Sequence, residues 1–254
     1  MLGAIIGDIV GSRYEFHNNK TKDFSFFSDK CFFTDDTIMT LAIAEAVCSC
    51  GENWDAEELN EIAISRMVEL GNLYPNGGYG TSFIRWLTEK PIPYNSYGNG
   101  SAMRVSAVGF FAQSEEEVKA MSKAVTAISH NHEEGIKGAE AVAMAIFLAR
   151  KGVFIDDIKN RLAKDYYKEL NQMTVENIAK DYVFNETCQN TVPQALTCFF
   201  ESYDFEDAIR NAISIGGDSD TIAAITGSIA SAYYGVPNNL RRKALSFFDR
   251  AFLL

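Results

Sequence analysis

The chain is short of the residues that disulfide-bonded and nucleic-acid-binding proteins need. Its five cysteines form neither a CxxC pair nor an even framework, which favours reduced thiols in a cytosolic protein. Lysine and arginine number 23 against 34 aspartates and glutamates, for a formal net charge of −11. Because nucleic-acid phosphates are bound by Lys and Arg, this balance excludes general binding to nucleic acid.

Long apolar runs are missing as well. No segment reaches the roughly 20 continuous apolar residues that a membrane helix requires. The N-terminal stretch MLGAIIGDIVGS has no basic residue before its apolar part and carries Asp8 inside it, so it does not fit a secretory signal. We therefore expect a cytoplasmic protein that makes no contact with membranes.

The alternation of apolar and polar residues that marks β-strands is also missing. Apolar residues recur instead at helical spacing along most of the chain. Besides a first helix near the N-terminus, this spacing predicts helices over residues 36–50, 56–71, 101–113, 115–128, 135–151, 190–202, 205–214, 219–234 and 238–251. Asp55 and Ser114 are placed to cap two of them.

The remaining segments are predicted to be irregular. Residues 23–33 alternate poorly, and residues 73–99 are rich in Gly, Pro, Asn and Tyr, so both are expected to be mostly loop. Residues 152–189 are more polar and are expected to form a peripheral insertion. With no linker and no internal repeat, the sequence predicts one compact all-α domain, residues 1–254.

A stripe of glycines lies on the first helix. Gly3, Gly7 and Gly11 are spaced at i, i+4 and i+8, which places them on one face. Glycine weakens a helix, so a whole stripe predicts that another backbone packs very close to this face.

Two segments concentrate carboxylates and hydroxyls directly before an apolar helical stretch. They are FTDDT, with Thr34, Asp35 and Asp36, and GGDSDT, with Asp218, Asp220 and Thr221. Each alone is more often a helix cap, although one residue suffices for capping. Oxygen ligands without His or Cys are what Mg²⁺ and Mn²⁺ select. Together, the two segments therefore favour a metal site, with Gly216 and Gly217 allowing the second turn to present both aspartates.

Two further segments are weaker signals. Gly98 and Gly100 flank Asn99 in a turn that opens an apolar helix, where exposed amides suit phosphate. His130 and His132 lie two residues apart, but no third nitrogen or sulfur ligand is spaced to complete a zinc site with them. Hydrogen bonding to an anion and simple capping both remain open for these histidines, and His17 is expected to lie on the surface.

Taken in order, these segments resemble the motifs of the ADP-ribosylglycohydrolase family. The matching stretches are GDIVGSRYE, FTDDTIM, SYGNGSAMR, SHNHEEGIKGAEA and GGDSDTIAAITGSIA, spread over residues 3–235. The family includes dinitrogenase-reductase-activating glycohydrolase, ADP-ribosyl-arginine and ADP-ribosyl-serine hydrolases, and crystallin J1-like proteins. The resemblance implies an orthogonal bundle of helices with a centre of two Mg²⁺ ions, or Mn²⁺, at the bottom of a cleft.

The resemblance also implies roles for individual residues. The implied metal ligands are Thr34, Asp35, Asp36, Asp218, Asp220 and Thr221. Glu15 falls on the family's catalytic glutamate, and Asp35 and Asp220 are expected to be essential for catalysis as well. The implied substrate-binding residues are Ser96, Tyr97, Gly98, Asn99, Gly100, Ser101, His130 and His132. Within this group, Tyr97 is a candidate to contact adenine, and the amides of the Gly98–Ser101 turn are expected to hold the pyrophosphate.

The implied activity is Mg²⁺-dependent hydrolysis of the N- or O-glycosidic bond of ADP-ribose. The ADP-ribose is attached to a protein side chain, a nucleic acid base or a small metabolite, and the motifs are silent on which. One alternative is a non-catalytic relative, either a binder of ADP-ribose or a structural protein like crystallin J1. Another is a phosphohydrolase that uses the same two cations. The oligomeric state is not indicated by the sequence.

Overall fold

Helices account for nearly all of the regular structure in the computed structural model, which describes residues 1–248. Within this range the strand-like pairing is limited to an isolated bridge between Gly98 and Thr187. The helices are α1 Leu2–Gly11, α2 Asp35–Cys50, α3 Ala56–Leu73, α4 Thr81–Thr88, α5 Gly100–Met103, α6 Ser106–Phe111, α7 Glu115–Ala127, α8 Glu133–Arg150, α9 Ile155–Asp165, α10 Val175–Asp181, α11 Cys188–Phe200, α12 Phe205–Ser214, α13 Ser219–Tyr233 and α14 Asn238–Leu245. The all-α prediction is confirmed.

Most predicted helices are found within a few residues of their expected bounds. The exception is 101–113, which is divided into α5 and α6. The Arg104 guanidinium turns back and donates to the Gly100 carbonyl (3.0 Å), an acceptor that a continuous helix uses for its backbone. The predicted helix 238–251 ends at Leu245, and its residues 249–251 lie outside the described part. Because the last residues are not described, the single domain expected over residues 1–254 stays a prediction.

The prediction that residues 73–99 are mostly loop missed one helix. Helix α4 lies inside this segment and buries Phe83, Trp86 and Leu87 on one face. Helix α4 is too short, and too closely flanked by Gly and Pro, for a helical spacing of apolar residues to be recognised in the sequence. Residues 152–189 contain α9, which buries Ile158 and Leu162, and α10, which buries no residue.

The predicted caps are confirmed. Asp55 accepts hydrogen bonds from the amides of Glu57 and Glu58 at 2.9 and 3.0 Å. Ser114 accepts one from the Glu117 amide at 3.2 Å. Residues 23–33 form neither helix nor strand, as predicted. No helix among residues 1–248 combines the length and the apolar composition that crossing a bilayer requires.

The glycine stripe of α1 packs directly against the backbone of α13, as predicted. A Cβ at Gly3 would lie 2.0 Å from the Gly227 carbonyl oxygen, and one at Gly7 would lie 2.0 Å from that of Ala223. At Gly11 the Cβ would come within 2.4 Å of the Asp220 Cα. Since real Cβ contacts are never this short, the two helices reach this separation because α1 has no side chains on the shared face. The contact holds the first turn of α13 against the end of α1.

This packing predicts that Gly7→Ala destabilises the protein. Ala has a higher helix propensity than Gly by about 1 kcal/mol, so propensity alone predicts the opposite sign. The added methyl must push α13 away, and overpacking of this kind costs about 1–3 kcal/mol. Thermal unfolding should show a Tm lower than wild type by roughly 3–10 °C. The control is Gly80→Ala, because nothing lies within 4 Å of a Cβ there. A Gly7→Ala protein as stable as this control would contradict the packing argument.

Candidate functional site

A cavity of about 510 Å³ opens where the N-termini of α2, α5 and α13 meet the turn after α1. We call it the cleft. Most of the residues singled out in the sequence line it. They are Glu15, Asp35, Asp36, Ser96, Tyr97, Gly98, Asn99, Gly100, His130, Asp218, Asp220 and Thr221. Thr34, Ser101 and His132 do not line it, and His17 is exposed elsewhere on the surface, as predicted.

The start of α2 is fixed by a buried aspartate from α1. Asp8 accepts hydrogen bonds from the Thr34 amide (2.9 Å) and hydroxyl (2.8 Å), and from the Thr37 amide (3.0 Å) and hydroxyl. Thr34 is also the N-cap, since its hydroxyl oxygen accepts from the Asp36 amide (3.3 Å). These bonds tie the FTDDT segment to α1 and aim Asp35 and Asp36 toward the cleft.

The start of α13 is shaped by two glycines in the left-handed region. Gly216 and Gly217 have φ of +69° and +80°, a conformation that favours glycine. The Asn18 side chain brackets Gly217, accepting from its amide and donating to its carbonyl, both at 2.8 Å. The turn presents Asp218 and Asp220 to the cleft, which agrees with the role expected for the two glycines.

The carboxylates converge in two groups that share Asp220. Asp8, Asp36 and Asp220 each place an oxygen within 4.8 Å of the others, and so do Glu15, Asp218 and Asp220. The Thr221 hydroxyl donates to Asp36 Oδ2 (3.0 Å), whereas the buried Asp36 Oδ1 has no partner among the described residues. Within residues 1–248, none of these carboxylates forms an ion pair with Lys or Arg.

Burial raises the pKa of every carboxyl in these groups, and mutual repulsion adds to the effect for all of them except Asp8. Burial raises the pKa of Asp8 to about 6 and that of Asp218 to about 7. Burial and the nearby charge of Asp220 raise the pKa of Asp36 well above its usual range and that of the half-buried Glu15 to about 8. Burial and the charge of Asp218 raise the pKa of Asp220 well above its usual range. Near neutral pH the groups therefore hold protons unless another positive charge replaces them.

Asp35 lines the cleft but belongs to neither close group. Its amide donates to the Gly77 carbonyl (2.7 Å), and a Cβ at Gly78 would lie 3.4 Å from its Oδ1. Gly78 has φ of +101°, so the loop before α4 approaches Asp35 with backbone alone. Burial and the charge of Asp220 raise the pKa of Asp35 well above its usual range.

The 96–101 loop differs in detail from the expected anion-binding turn. The Gly98 amide donates to Ser96 Oγ (3.1 Å) and the Asn99 amide to the Glu186 carbonyl (2.8 Å), so these two amides are not available to a pyrophosphate. The Asn99 side chain donates to Asp218 (2.6 Å) and to Thr191 (3.1 Å). Asn99 therefore connects this loop to the carboxylates. Ser101 is buried, with its hydroxyl bonded to the Gly135 carbonyl (2.9 Å).

The two predicted histidines have different environments. His130 lines the cleft, and its Nδ1 lies 2.8 Å from Ser129 Oγ. His132 is the N-cap of α8, where its Nδ1 accepts from the Glu134 amide (3.1 Å). Its ring packs edge-on against Tyr97, with centroids 5.2 Å apart. Of the two alternatives that the sequence left open, capping is what the structure shows for His132.

Several residues of the site were missed by the sequence argument. Asp8 had a signal, because it is the one charged residue in the glycine-striped helix α1. Arg104, the last residue of the SYGNGSAMR stretch, and Glu186 also line the cleft, but neither was singled out as a site residue. The start of α4, Thr81–Phe83, lines the cleft as well and was assigned to a loop.

The comparisons with known proteins agree with one another. The sequence profile described as ADP-ribosylglycohydrolase matches residues 1–249. ADP-ribosylhydrolase ARH3 of Mus musculus is 26% identical over 312 residues, covering 93% of this chain and 83% of the relative. ADP-ribosylarginine hydrolase Tri1 of Pseudomonas putida (strain GB-1) is 24% identical, covering 99% and 77%. A solved structure titled ADP-ribosylglycohydrolase-related protein complex has a TM-score of 0.70 at 20% identity, covering 97% of this chain and 94% of its own, which shows a shared fold.

The raised pKa values predict an unusual dependence of stability on pH for the metal-free protein. A carboxyl whose pKa is higher in the folded than in the unfolded state stabilises the fold at low pH, and this stability is lost as pH rises through the folded pKa. In EDTA, the Tm should therefore fall by roughly 5–10 °C between pH 5 and pH 8. Asp36→Asn should flatten this fall, whereas Asp181→Asn, which changes an exposed carboxylate, should not. A Tm that rises over this range would contradict the assignment.

Proposed function

The chain belongs to the ADP-ribosylglycohydrolase family, and we propose that it is a Mg²⁺-dependent hydrolase that removes ADP-ribose from a modified protein side chain. Family membership gives the activity class, the hydrolysis of ADP-ribose linkages. The observation that carries the finer proposal is the complete set of carboxylates that converges on one cleft and forms no ion pair with Lys or Arg within residues 1–248. A relative that had lost catalysis would have no need to keep this unfavourable cluster. The five free cysteines support the cytoplasmic location expected from the sequence.

The donor set fits hard divalent cations. It contains oxygen atoms only, and the unpartnered Asp36 Oδ1 needs a positive partner. We propose that two Mg²⁺ ions, or Mn²⁺, are held by Thr34, Asp35, Asp36, Asp218, Asp220 and Thr221. Cations bound there would orient the ribose oxygens and would stabilise negative charge that develops on the attacking water or the leaving group.

Asp8 has a supporting role in this proposal. Its two oxygens already accept four hydrogen bonds from Thr34 and Thr37. Few of its lone pairs remain for a cation. The Thr34 hydroxyl donates its proton to Asp8 and accepts from the Asp36 amide, which leaves one lone pair on that oxygen for a cation. Asp8 therefore orients Thr34 without being a ligand itself.

Glu15 is the residue that we assign to the chemical step. It is half-buried, lines the cleft, and lies beside Asp218 and Asp220. In this place its carboxylate can act on the attacking water or on the leaving group while the ribose passes through an oxocarbenium-like state. Tyr97 and His130 also line the cleft, and we assign them to the nucleotide part of the substrate.

The residues beside Glu15 favour a cationic leaving group. Glu186 is exposed, lines the cleft and has no ion-pair partner among residues 1–248. Phe16, next to Glu15, stacks on Phe184 with centroids 5.9 Å apart, and both rings are exposed. Carboxylates and aromatic faces together suit a planar cation such as guanidinium. We therefore propose ADP-ribosylated arginine as the first substrate to test, ahead of ADP-ribosylserine, modified bases and small metabolites.

Glu15→Gln should separate catalysis from binding. The substitution keeps the size of the side chain but removes its basicity, so kcat should fall by about 10²–10⁴. The affinity for ADP-ribose should change little, because the nucleotide side of the cleft is intact. The matched control is Glu69→Gln on the exposed face of α3, which should retain full kcat. An unchanged kcat in Glu15→Gln would remove this residue from the mechanism.

A substrate panel tests the activity and the leaving group together. ADP-ribose release from arginine- and serine-modified peptides should require Mg²⁺ or Mn²⁺ and stop in EDTA. Arginine should be preferred, and Glu186→Gln should lower kcat/KM for the arginine peptide about fivefold, the effect of losing roughly 1 kcal/mol, without changing it for serine. Binding of ADP-ribose with no turnover of any substrate would favour the non-catalytic alternative. Phosphate release from free ADP-ribose would favour a phosphohydrolase.

A further inference from the structure

A buried arginine without a carboxylate partner lies beside the cleft. Arg104 is 1% exposed, yet it forms no ion pair within residues 1–248. Its guanidinium donates to the Gly100 carbonyl (3.0 Å) and to Ser129 Oγ (2.8 Å), and its buried Nε has no hydrogen-bond partner among the described residues. Burying an unpaired charge is costly, so its location in an acidic protein calls for a function.

The Ser129 hydroxyl lies between Arg104 and His130 and is within hydrogen-bond distance of both. The guanidinium has no acceptor atom, so Ser129 Oγ must accept from it. The same oxygen lies 2.8 Å from His130 Nδ1. If Nδ1 carried the proton, Ser129 would have to accept twice, and its own proton would have no acceptor among the described residues. Donation from Ser129 to Nδ1 satisfies both groups, and it leaves the ring proton on Nε2.

The protonated nitrogen faces the glycine turn of the cleft. A Cβ at Gly98 or at Gly100 would lie 3.4 Å from His130 Nε2, so a side chain at either position would crowd this atom. His130 is 5% exposed and lines the cleft, but its Nε2 forms no hydrogen bond within residues 1–248. Burial and the charge of Arg104 hold the pKa of His130 well below its usual range. The ring is therefore neutral at pH 7, with one N–H directed to the space that a ligand would fill.

We propose that Arg104 and Ser129 are positioning residues that hold His130 as a neutral Nε2–H donor to a diphosphate oxygen of the bound nucleotide. The identity of the ligand rests on the proposed function, but the relay of hydrogen bonds does not. Arg104 has a second effect, because it is the one Lys or Arg among the described residues that line the cleft. Its charge favours an anion beside it in a cleft that is otherwise lined by carboxylates.

The tautomer of His130 is the most direct test. The chain has three histidines, so ¹⁵N-histidine NMR gives three ring systems, and comparison with His130→Gln identifies the relevant one. In the ligand-free protein, Nδ1 should resonate as an unprotonated nitrogen and Nε2 as a protonated one. In Ser129→Ala, which removes the donor to Nδ1, the signals should shift toward a mixture of tautomers. A proton on Nδ1 in the wild type would overturn the proposal.

Calorimetry connects the relay to binding. With Mg²⁺ present, Ser129→Ala should weaken binding of ADP and of ADP-ribose about fivefold, the effect typical of one lost hydrogen bond, and should leave adenosine binding unchanged. The matched control is Ser122→Ala, since this hydroxyl is equally buried but has no hydrogen-bond partner in the described part of the chain. Arg104→Lys, which keeps the charge but not the two-armed donor, should show the same ligand pattern.

Different results would contradict the Arg104–Ser129–His130 hydrogen bonds and the proposed hydrolase function. Equal affinities in wild type and Ser129→Ala, or an equal loss in Ser122→Ala, would overturn the positioning role. An equal loss of adenosine affinity would place the donor away from the diphosphate and overturn that assignment. A wild-type protein that binds no ADP-ribose would contradict the proposed function together with the ligand assigned here, whereas the NMR result on ligand-free protein tests the relay separately.

Discussion

The site depends on how closely the backbones of α1 and α13 approach each other. Three glycines of α1 leave no side chain on the shared face, and a Cβ at Gly7 would lie 2.0 Å from the Ala223 carbonyl oxygen. At this separation Asp8 and Asp220, on different helices, bring oxygens within 4.8 Å of each other and of Asp36. Larger residues on α1 would move these carboxylates apart. The glycines at the contact between α1 and α13 are therefore needed for the carboxylates to converge.

The second constraint is electrostatic. The fold concentrates carboxyls where burial raises their pKa, and such an arrangement weakens the metal-free protein. The surrounding structure opposes the repulsion with hydrogen bonds to Asp8 from Thr34 and Thr37 and to Asp218 from Asn99. Arg104 forms no ion pair with these carboxylates within residues 1–248 and contacts Ser129 beside His130 instead. The cleft therefore combines oxygen ligands with a buried cation and a neutral histidine donor.

Local patterns predicted much of this from the sequence. The helical period placed the long helices, and the glycine stripe of α1 correctly indicated a close neighbour. The segments around Asp35 and Asp220 were found because each concentrates its oxygens within a few residues. Contacts between distant segments could not be found in this way. The Asn99–Asp218 bond joins positions 119 residues apart, and the cleft contacts of Arg104 and Glu186 arise only when the helices pack. The short helix α4 was missed because flanking Gly and Pro masked its period.

The claim that this packing builds one centre for two cations can be tested by counting bound Mn²⁺. Asp220 belongs to both carboxylate groups, so its loss should affect both ions. Electron paramagnetic resonance titration of the metal-free protein with Mn²⁺ should give two bound ions per chain. Asp220→Asn should abolish or greatly weaken both while the helical content is retained. Fewer than two bound ions in the wild type, or unchanged binding in Asp220→Asn, would contradict the assignment of this site.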